Sequence, residues 1–264
     1  MNMNITNSLI KYVASLSRKK VREDEGCFVA EGTKCVKDTW DYFNCRMIIA
    51  TKAWYEQNGH SGHLNKIIFA NSQQMQRMSQ LSTASDVIAV YDIPVREVSD
   101  KDIRSNLNVV LENIQDPGNL GTIIRLCDWF GIKNIFCSPN TVDVYNHKVI
   151  QATMGAISRV CVKYCDLEEL LEQYADIPIY GTSLQGKNIY KVDLSPVGFV
   201  IFGNEGRGMS QALANLSKVK LRIPSYPVNV TTSESLNVGI AAAITIGEFR
   251  RRAIMEVKGS GDGK

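Results

Sequence analysis

Apolar positions in the first 93 residues alternate between helical and strand-like spacing. In residues 7–17, Leu9, Ile10, Val13 and Leu16 recur on one helical face, which predicts a short helix. The runs CFVAEG (27–32), CRMIIAT (45–51), KIIFA (66–70) and DVIAVYDI (86–93) are compact and apolar, as buried strands are. TKCVKDTWDYF (33–43) and NSQQMQRMSQL (71–81) lie between them and read as helices. Strands and helices at such short spacing predict a small α/β sandwich over residues 1–93. The polar, proline-bearing stretch PVREVSDKDIRSN, 94–106, then reads as a linker about which the first domain moves.

From Leu107 the pattern restarts with longer units. NVVLENI, KNIFCS, RVCVKYC, IPIYGTSL, GFVIFGNE and KVKLRIP are strand-like. The stretch GNLGTIIRLCDWFGI predicts a helix ending at Gly131, and HKVIQATMGAIS and DLEELLEQYA predict two more. ESLNVGIAAAITIGEFRRRAIM predicts a long final helix, capped by Ser233 or Ser235. Near-continuous apolar strands alternating with helices predict a second α/β domain with a mostly parallel sheet, 107–256, and a flexible tail, 257–264.

Composition adds mainly exclusions. With 44% hydrophobic and 22% charged residues the chain is an ordinary globular protein, and a net charge of +3 gives no strong overall field toward nucleic acid. Any such affinity must come from local clusters, of which Arg18, Lys19, Lys20 and Arg22 are one. Arg250–Arg252 complement a helix C-terminus instead. The seven cysteines contain no CxxC pair, which predicts reduced thiols in a cytoplasmic protein. No zinc spacing occurs, and His60, His63 and His147 sit in no ligand cluster, so no metal is expected. No run approaches membrane length and the N-terminus lacks a secretory core, so the Asn-x-Ser/Thr triplets at Asn4, Asn215 and Asn229 carry no meaning.

Three polar loops follow strand-like runs, the place where open α/β sheets bind ligands. In QDPGNLGTIIR, Pro117 and Gly118 set a turn, Gly121 permits close approach, and Asn119 and Arg125 supply polar groups; the Arg fork suits phosphate. In VIFGNEGRGMS, Gly203, Gly206 and Gly208 let the backbone wrap a ligand, though neither a dinucleotide fingerprint nor a P-loop is present. In LRIPSYPVNVTTSESLNVGIAAAI, a polar loop opens a small-residue helix suited to tight packing. Each loop alone is an ordinary helix start or turn.

In this order and spacing the three loops resemble the three motifs of the SpoU (TrmH) branch of the SPOUT RNA methyltransferases, over about 107–250. SLIKYVASLSRKKVREDEGCFVAEGTKCVKD resembles the opening of that family's substrate-binding module. The resemblance implies a trefoil-knotted catalytic domain that binds S-adenosyl-L-methionine, works as a homodimer and methylates a ribose 2′-hydroxyl in RNA. By motif position, Thr182, Ser183, Leu184, Gly203, Asn204, Glu205, Ile223 and Leu236 would bind cofactor. Arg125, Asn119, Glu205, Ser235 and Asn237 would serve catalysis. A guanidinium is effectively always protonated, so Arg125 is expected to grip phosphate and steady developing oxyanion charge rather than act as a base. Asn119 would position the nucleotide, and Glu205 would accept a proton or organise its loop. Ser235 and Asn237 would fix the cofactor loop and the ribose. Arg18, Lys19, Lys20, Arg22 and Arg207 are the expected RNA contacts. Residues 225–232 depart from the pattern: this loop is longer than is usual there and lacks the customary Gly, which shifts weight to Ile223 and Leu236. Ribosomal RNA is the expected substrate. Transfer RNA is the alternative, as is a silent RNA-binding protein on the same fold.

Overall fold

The computed structural model describes residues 5–58, 67–227, 230 and 233–259. His60, His63, Asn4, Asn229, most of the 228–232 stretch and the last five residues of the tail lie outside them. The chain forms two compact units, one from Met1–Arg96 with Asp143–Ser158, the other from Glu97–Val142 with Arg159–Lys264.

The first unit opens with α1 (Asn7–Ser15), capped by the Thr6 hydroxyl, and α2 (Lys19–Glu25). Then come β1 (Cys27–Glu31), α3 (Thr33–Thr39), β2 (Cys45–Ala50), α4 (Lys52–Asn58), β3 (Ile67–Phe69), α5 (Ser72–Met78) and β4 (Val87–Asp92). The sheet order is β1-β4-β2-β3, with only the β2–β3 pair parallel. One face packs Ile10 and Val13 of α1, Leu16 just after it, and Met75 and Met78 of α5 on Val29, Ile49, Ile88 and Val90. An aromatic group of Phe28, Phe43, Tyr91 and Tyr145 packs elsewhere in the same unit. Tyr145 comes from the returning segment Asp143–Ser158, which the sequence pattern assigns to the second domain.

The second unit begins inside the expected linker. Residues 100–105 are a helix, α6 (Asp100–Ser105), capped by Ser99, and it buries Ile103 in the unit's core. One apolar position in a polar stretch is too weak a periodic signal to show such a helix. Next come β5 (Leu107–Leu111), α7 (Pro117–Trp129), β6 (Asn134–Cys137) and α8 (His147–Thr153). The helix α8 belongs to the first unit and stops where Met154 turns left-handed (φ 49°), short of the expected 147–158. The chain ends with β7 (Cys161–Tyr164), α9 (Leu167–Gln173), β8 (Ile179–Asn188), β9 (Gly198–Phe202), α10 (Gln211–Leu216), β10 (Val219–Arg222) and α11 (Val238–Gly259).

The second sheet has six strands in the order β10-β8-β9-β5-β6-β7, every pair parallel. Both faces are covered, so β5, β6 and β9 are buried along their whole length, as their continuous apolar runs require. Val110, Phe136, Phe199 and Ile201 pack with Leu167, Leu171 and Leu213. On α7 and α11, which pack together, Ile123, Ile124, Cys127, Ile246 and Phe249 are buried. Because β8, β9 and β5 are neighbours, the loops leaving their carboxyl ends emerge side by side.

Candidate active site

The loop after β5 is sharply turned. Asn113 takes a left-handed conformation (φ 56°), and its carbonyl accepts the Nδ2 of Asn204 at 2.9 Å. Asp116 then caps α7 by accepting the Asn119 N–H at 2.7 Å, with Pro117 in the first turn. The turn expected at Pro117–Gly118 is therefore the opening of the helix, where a missing N–H costs nothing.

The glycine loop after β9 closes on itself. Asn204 and Gly208 exchange backbone hydrogen bonds of 3.1 and 2.8 Å. The Asn204 Oδ1 accepts the N–H groups of Gly206 and Arg207, at 3.0 and 3.1 Å. The buried Glu112 carboxylate accepts the Ser210 N–H at 2.8 Å and ties down the far end. A Cβ on Gly203 would lie 2.3 Å from the Gly208 carbonyl carbon and the Met209 nitrogen, so only glycine fits this crossing. Gly208 holds φ +70°, a left-handed value that glycine adopts without strain.

The third loop leads into α11, which starts later than the sequence suggests. Its cap is Asn237, whose Oδ1 accepts the Gly239 and Ile240 N–H groups at 2.9 and 3.3 Å, and not Ser233 or Ser235. Asn237 Nδ2 donates to Asn119 Oδ1 at 2.9 Å, and Asn119 Nδ2 donates to Glu205 Oε1 at 2.9 Å. One hydrogen-bonded chain, Asn237–Asn119–Glu205, thus ties together three loops that are far apart in sequence.

Beside this chain lies a cleft of about 540 Å³, within the range of small-molecule sites. Thr182, Ser183, Leu184, Gly203, Asn204, Glu205, Ile223, Ser235 and Leu236 all line it. Thr182 is oriented by its hydroxyl donating to the Ile201 carbonyl at 2.9 Å. Leu184 and Leu236 are exposed there, 67% and 45%, and offer apolar surface to a ligand. The lining also includes Gln185, Met209, Ala214, Lys220, Arg222, Glu234 and Thr245, which the motifs did not single out. Only tertiary placement reveals them.

The SpoU rRNA Methylase family matches residues 106–247, and an MRM3-like substrate binding domain matches residues 7–89. The chain belongs to the SpoU rRNA Methylase family. A TrmH-family protein from Porphyromonas gingivalis is 32% identical, with a TM-score of 0.83 over 95% of this chain and 100% of that one. An AdoMet-bound rRNA methyltransferase from Sinorhizobium meliloti is 27% identical, with a TM-score of 0.80 over 96% and 98%. The 23S rRNA (guanosine(2553)-2'-O)-methyltransferase of Bacillus subtilis is 30% identical over 66% of this chain and 68% of its own length.

The arginine of the first loop's helix, Arg125, stands apart from the cleft lining. It is exposed on α7, in a stripe with Thr122 and Trp129, and makes no hydrogen bond or ion pair among the described residues. Arg207 is exposed at the cleft, with Lys220 and Arg222 beside it on the lining. In the first unit Arg18, Lys19 and Lys20 are exposed, Lys19 lying 3.6 Å from Glu23. Arg22 is the exception and is withdrawn from the RNA contacts. It is 3% exposed, ion-paired with Asp143, and donates to the Leu16 and Ser17 carbonyls at 2.8 Å each. The run is a helix rather than a loop, and its turn carries the fourth position inward.

Burial pushes the Cys127 and Cys137 thiols far up, so both behave as small apolar residues. Among the described residues no group of three or more His, Cys, Asp or Glu side chains is placed to hold a metal ion, and no helix is long and apolar enough to cross a membrane.

Proposed function

We propose that this protein transfers a methyl group from S-adenosyl-L-methionine to a ribose 2′-hydroxyl of ribosomal RNA in the cytoplasm. The observation that carries the reading is the Asn237–Asn119–Glu205 chain at the edge of a cleft lined by all three motif loops. The cofactor, whose size and mixed polarity suit such a cleft, supplies an electrophilic methyl on a sulfonium. Thr182, Ser183, Leu184, Ile223 and Leu236 hold it, together with the backbone of the glycine loop. That loop is already fixed by its own hydrogen bonds, so little ordering is needed on binding. Glu205 fixes Asn119 from the cleft wall and would offer its carboxylate to the cofactor's positive charge. Asn119 retains one amide hydrogen and one lone pair beyond its two bonds, enough to orient the ribose. Arg125 would grip the neighbouring phosphate and steady charge on the 2′-oxygen as its proton passes to Glu205 or to water and S-adenosylhomocysteine departs. Ser235 positions the ribose at the cleft wall.

The active unit in this reading is a trefoil-knotted homodimer. Arg125 lies outside the cleft lining, and its stripe carries Trp129, 84% exposed, while α11 exposes Ile240 at 53%. Such an apolar surface suits a second copy, which would bring Arg125 to the partner's cofactor. Arg18, Lys19, Lys20 and Arg207 take RNA phosphates.

The test is methyl transfer from labelled S-adenosylmethionine to unmodified rRNA and tRNA transcripts, with product nucleosides identified by mass. A 2′-O-methyl nucleoside in rRNA is expected. The same product in tRNA alone would reassign the substrate. A methylated base, or cofactor binding without transfer to naked or ribosome-assembled rRNA, would overturn the reading.

A further inference from the structure

The cleft wall holds a buried polar group that finds no partner among the described residues. Thr245 of α11 lines it and is 1% exposed. Its Oγ1 is buried and has no hydrogen-bond partner among the described residues. A threonine inside a helix ordinarily donates back to the carbonyl four residues earlier, here Ala241, and that bond is not made. Valine would fill the same volume without leaving a buried hydroxyl unsatisfied. A hydroxyl kept in such a place points to a ligand that completes it.

Its position says which part of the ligand. Val238, Ala241 and Thr245 share one face of α11, and all three line the cleft. Seven residues of helix put Thr245 about 10 Å along the axis from Val238, which adjoins the Asn237–Asn119–Glu205 chain. The methyl acceptor belongs at that chain, so Thr245 faces a part of the cofactor remote from the sulfonium. The buried part of the lining is apolar apart from Thr245 itself, made by Phe202, Leu221 and Val238, with Ala214 and Ala241 half-buried. The charged lining groups lie toward solvent instead: Arg207, Lys220, Arg222 and Glu234 are exposed, and Glu205 is half-buried. A wall of that kind accepts a flat heteroaromatic ring and disfavours a zwitterionic amino acid.

We propose that the Thr245 hydroxyl hydrogen-bonds the nucleoside half of S-adenosylmethionine and contributes to cofactor selection. This rests on the cofactor occupying the cleft, as proposed above.

The test is calorimetric binding of S-adenosylhomocysteine and of 5′-methylthioadenosine, which lacks the amino-acid half. Wild type, Thr245→Val, Thr245→Ser and Ser183→Trp are compared as full chains. Thr245→Val is expected to weaken both ligands by about 5- to 15-fold, the loss of one hydrogen bond. Its melting temperature stays the same or rises, because an unsatisfied buried hydroxyl is gone. Thr245→Ser keeps both affinities within about twofold. Wild-type affinity in Thr245→Val, or weakening of S-adenosylhomocysteine alone, overturns the proposal. Ser183→Trp fills the cleft from its half-buried wall and separates the two failures. If it leaves S-adenosylhomocysteine binding intact, the ligand is elsewhere and the cleft reading falls. If it abolishes binding while Thr245→Val does not weaken it, only the Thr245 contact falls.

Discussion

Gly203→Ala is the sharpest perturbation of the site, because one methyl group meets backbone on the far side of a closed loop. The new Cβ would lie 2.3 Å from both the Gly208 carbonyl carbon and the Met209 nitrogen, and 2.6 Å from the Gly208 oxygen. Ordinary contact begins near 3.4 Å, so the two chain segments must part by about an ångström. The bonds that this separation stretches are the paired ones between Asn204 and Gly208, at 3.1 and 2.8 Å. At about 0.5–1.5 kcal/mol each, their loss costs roughly 1–3 kcal/mol of stability. The same movement shifts Gly203, Asn204 and Glu205 along the cleft wall. Cofactor affinity should then fall more than about tenfold, since a displacement near 1 Å spoils several contacts at once. Urea unfolding and calorimetric titration with S-adenosylhomocysteine measure the two effects. Wild-type stability together with wild-type affinity in Gly203→Ala would refute the claim that this crossing shapes the site.

Other perturbations separate structure from chemistry. Arg125→Ala should leave the melting temperature and S-adenosylhomocysteine affinity unchanged, because Arg125 has no partner among the described residues, while methyl transfer falls at least about 100-fold; single-turnover transfer beside calorimetry checks this. Arg22→Met should cost about 3–5 kcal/mol in urea unfolding, since it strands the Asp143 carboxylate and two carbonyls, whereas Lys20→Met should stay within about 0.5 kcal/mol. Glu248 is held at about 2, well below the ordinary 4.5, chiefly by hydrogen bonds from Arg251 and then, against the opposing effect of burial, from Arg252. A carboxyl lowered in the folded state stabilises above its unfolded value and loses that contribution as pH falls through the folded one. The gap between wild type and Glu248→Gln in chemical unfolding should therefore be constant from pH 6 to 8 and shrink below about pH 4.5. RNA binding should weaken steeply between 50 and 200 mM salt while S-adenosylhomocysteine affinity barely moves, because the cleft is held by hydrogen bonds and apolar contact.

The second sheet was legible because a parallel sheet covered on both faces writes each strand as a continuous apolar run, as VVL in β5 and FVIF in β9 do. The cleft was legible for a different reason. Three polar loops, each following such a run, lie at the strand ends where ligands bind. Where reading failed, tertiary context decided. The helix α6 carries one core residue, Ile103, in a polar stretch, so its periodicity was invisible. Arg22 looked like its exposed neighbours until the turn of α2 carried it inward to Asp143, 121 residues away. Segment Asp143–Ser158 sits between second-unit strands in sequence, and long-range contacts such as Tyr145 on Phe28 and Asp143 with Arg22 place it in the first unit. Asn237 replaces the serines as the α11 cap because the helix begins at Val238, so Asn237 is the side chain next to its first free N–H groups, and its Nδ2 still donates to Asn119.

That last exchange explains why the site uses amides where a serine would cap equally well. A hydroxyl has one hydrogen, and spending it on Asn119 would fix its rotor. An amide separates the functions, with Oδ1 committed to the helix and Nδ2 to the next loop. Asn204 repeats the device, its Oδ1 closing the glycine loop and its Nδ2 reaching the Asn113 carbonyl. Asn119 does so a third time, bridging Asn237 and Glu205. The three motif loops are thereby joined through neutral amides, with the Glu205, Glu112 and Asp116 carboxylates each accepting an N–H group. The cations Arg125 and Arg207 contribute no side-chain bond to this scaffold among the described residues. In the proposed reading they would hold RNA phosphates, and because they bear no part of the scaffold, such contacts could form and break without loosening the cleft.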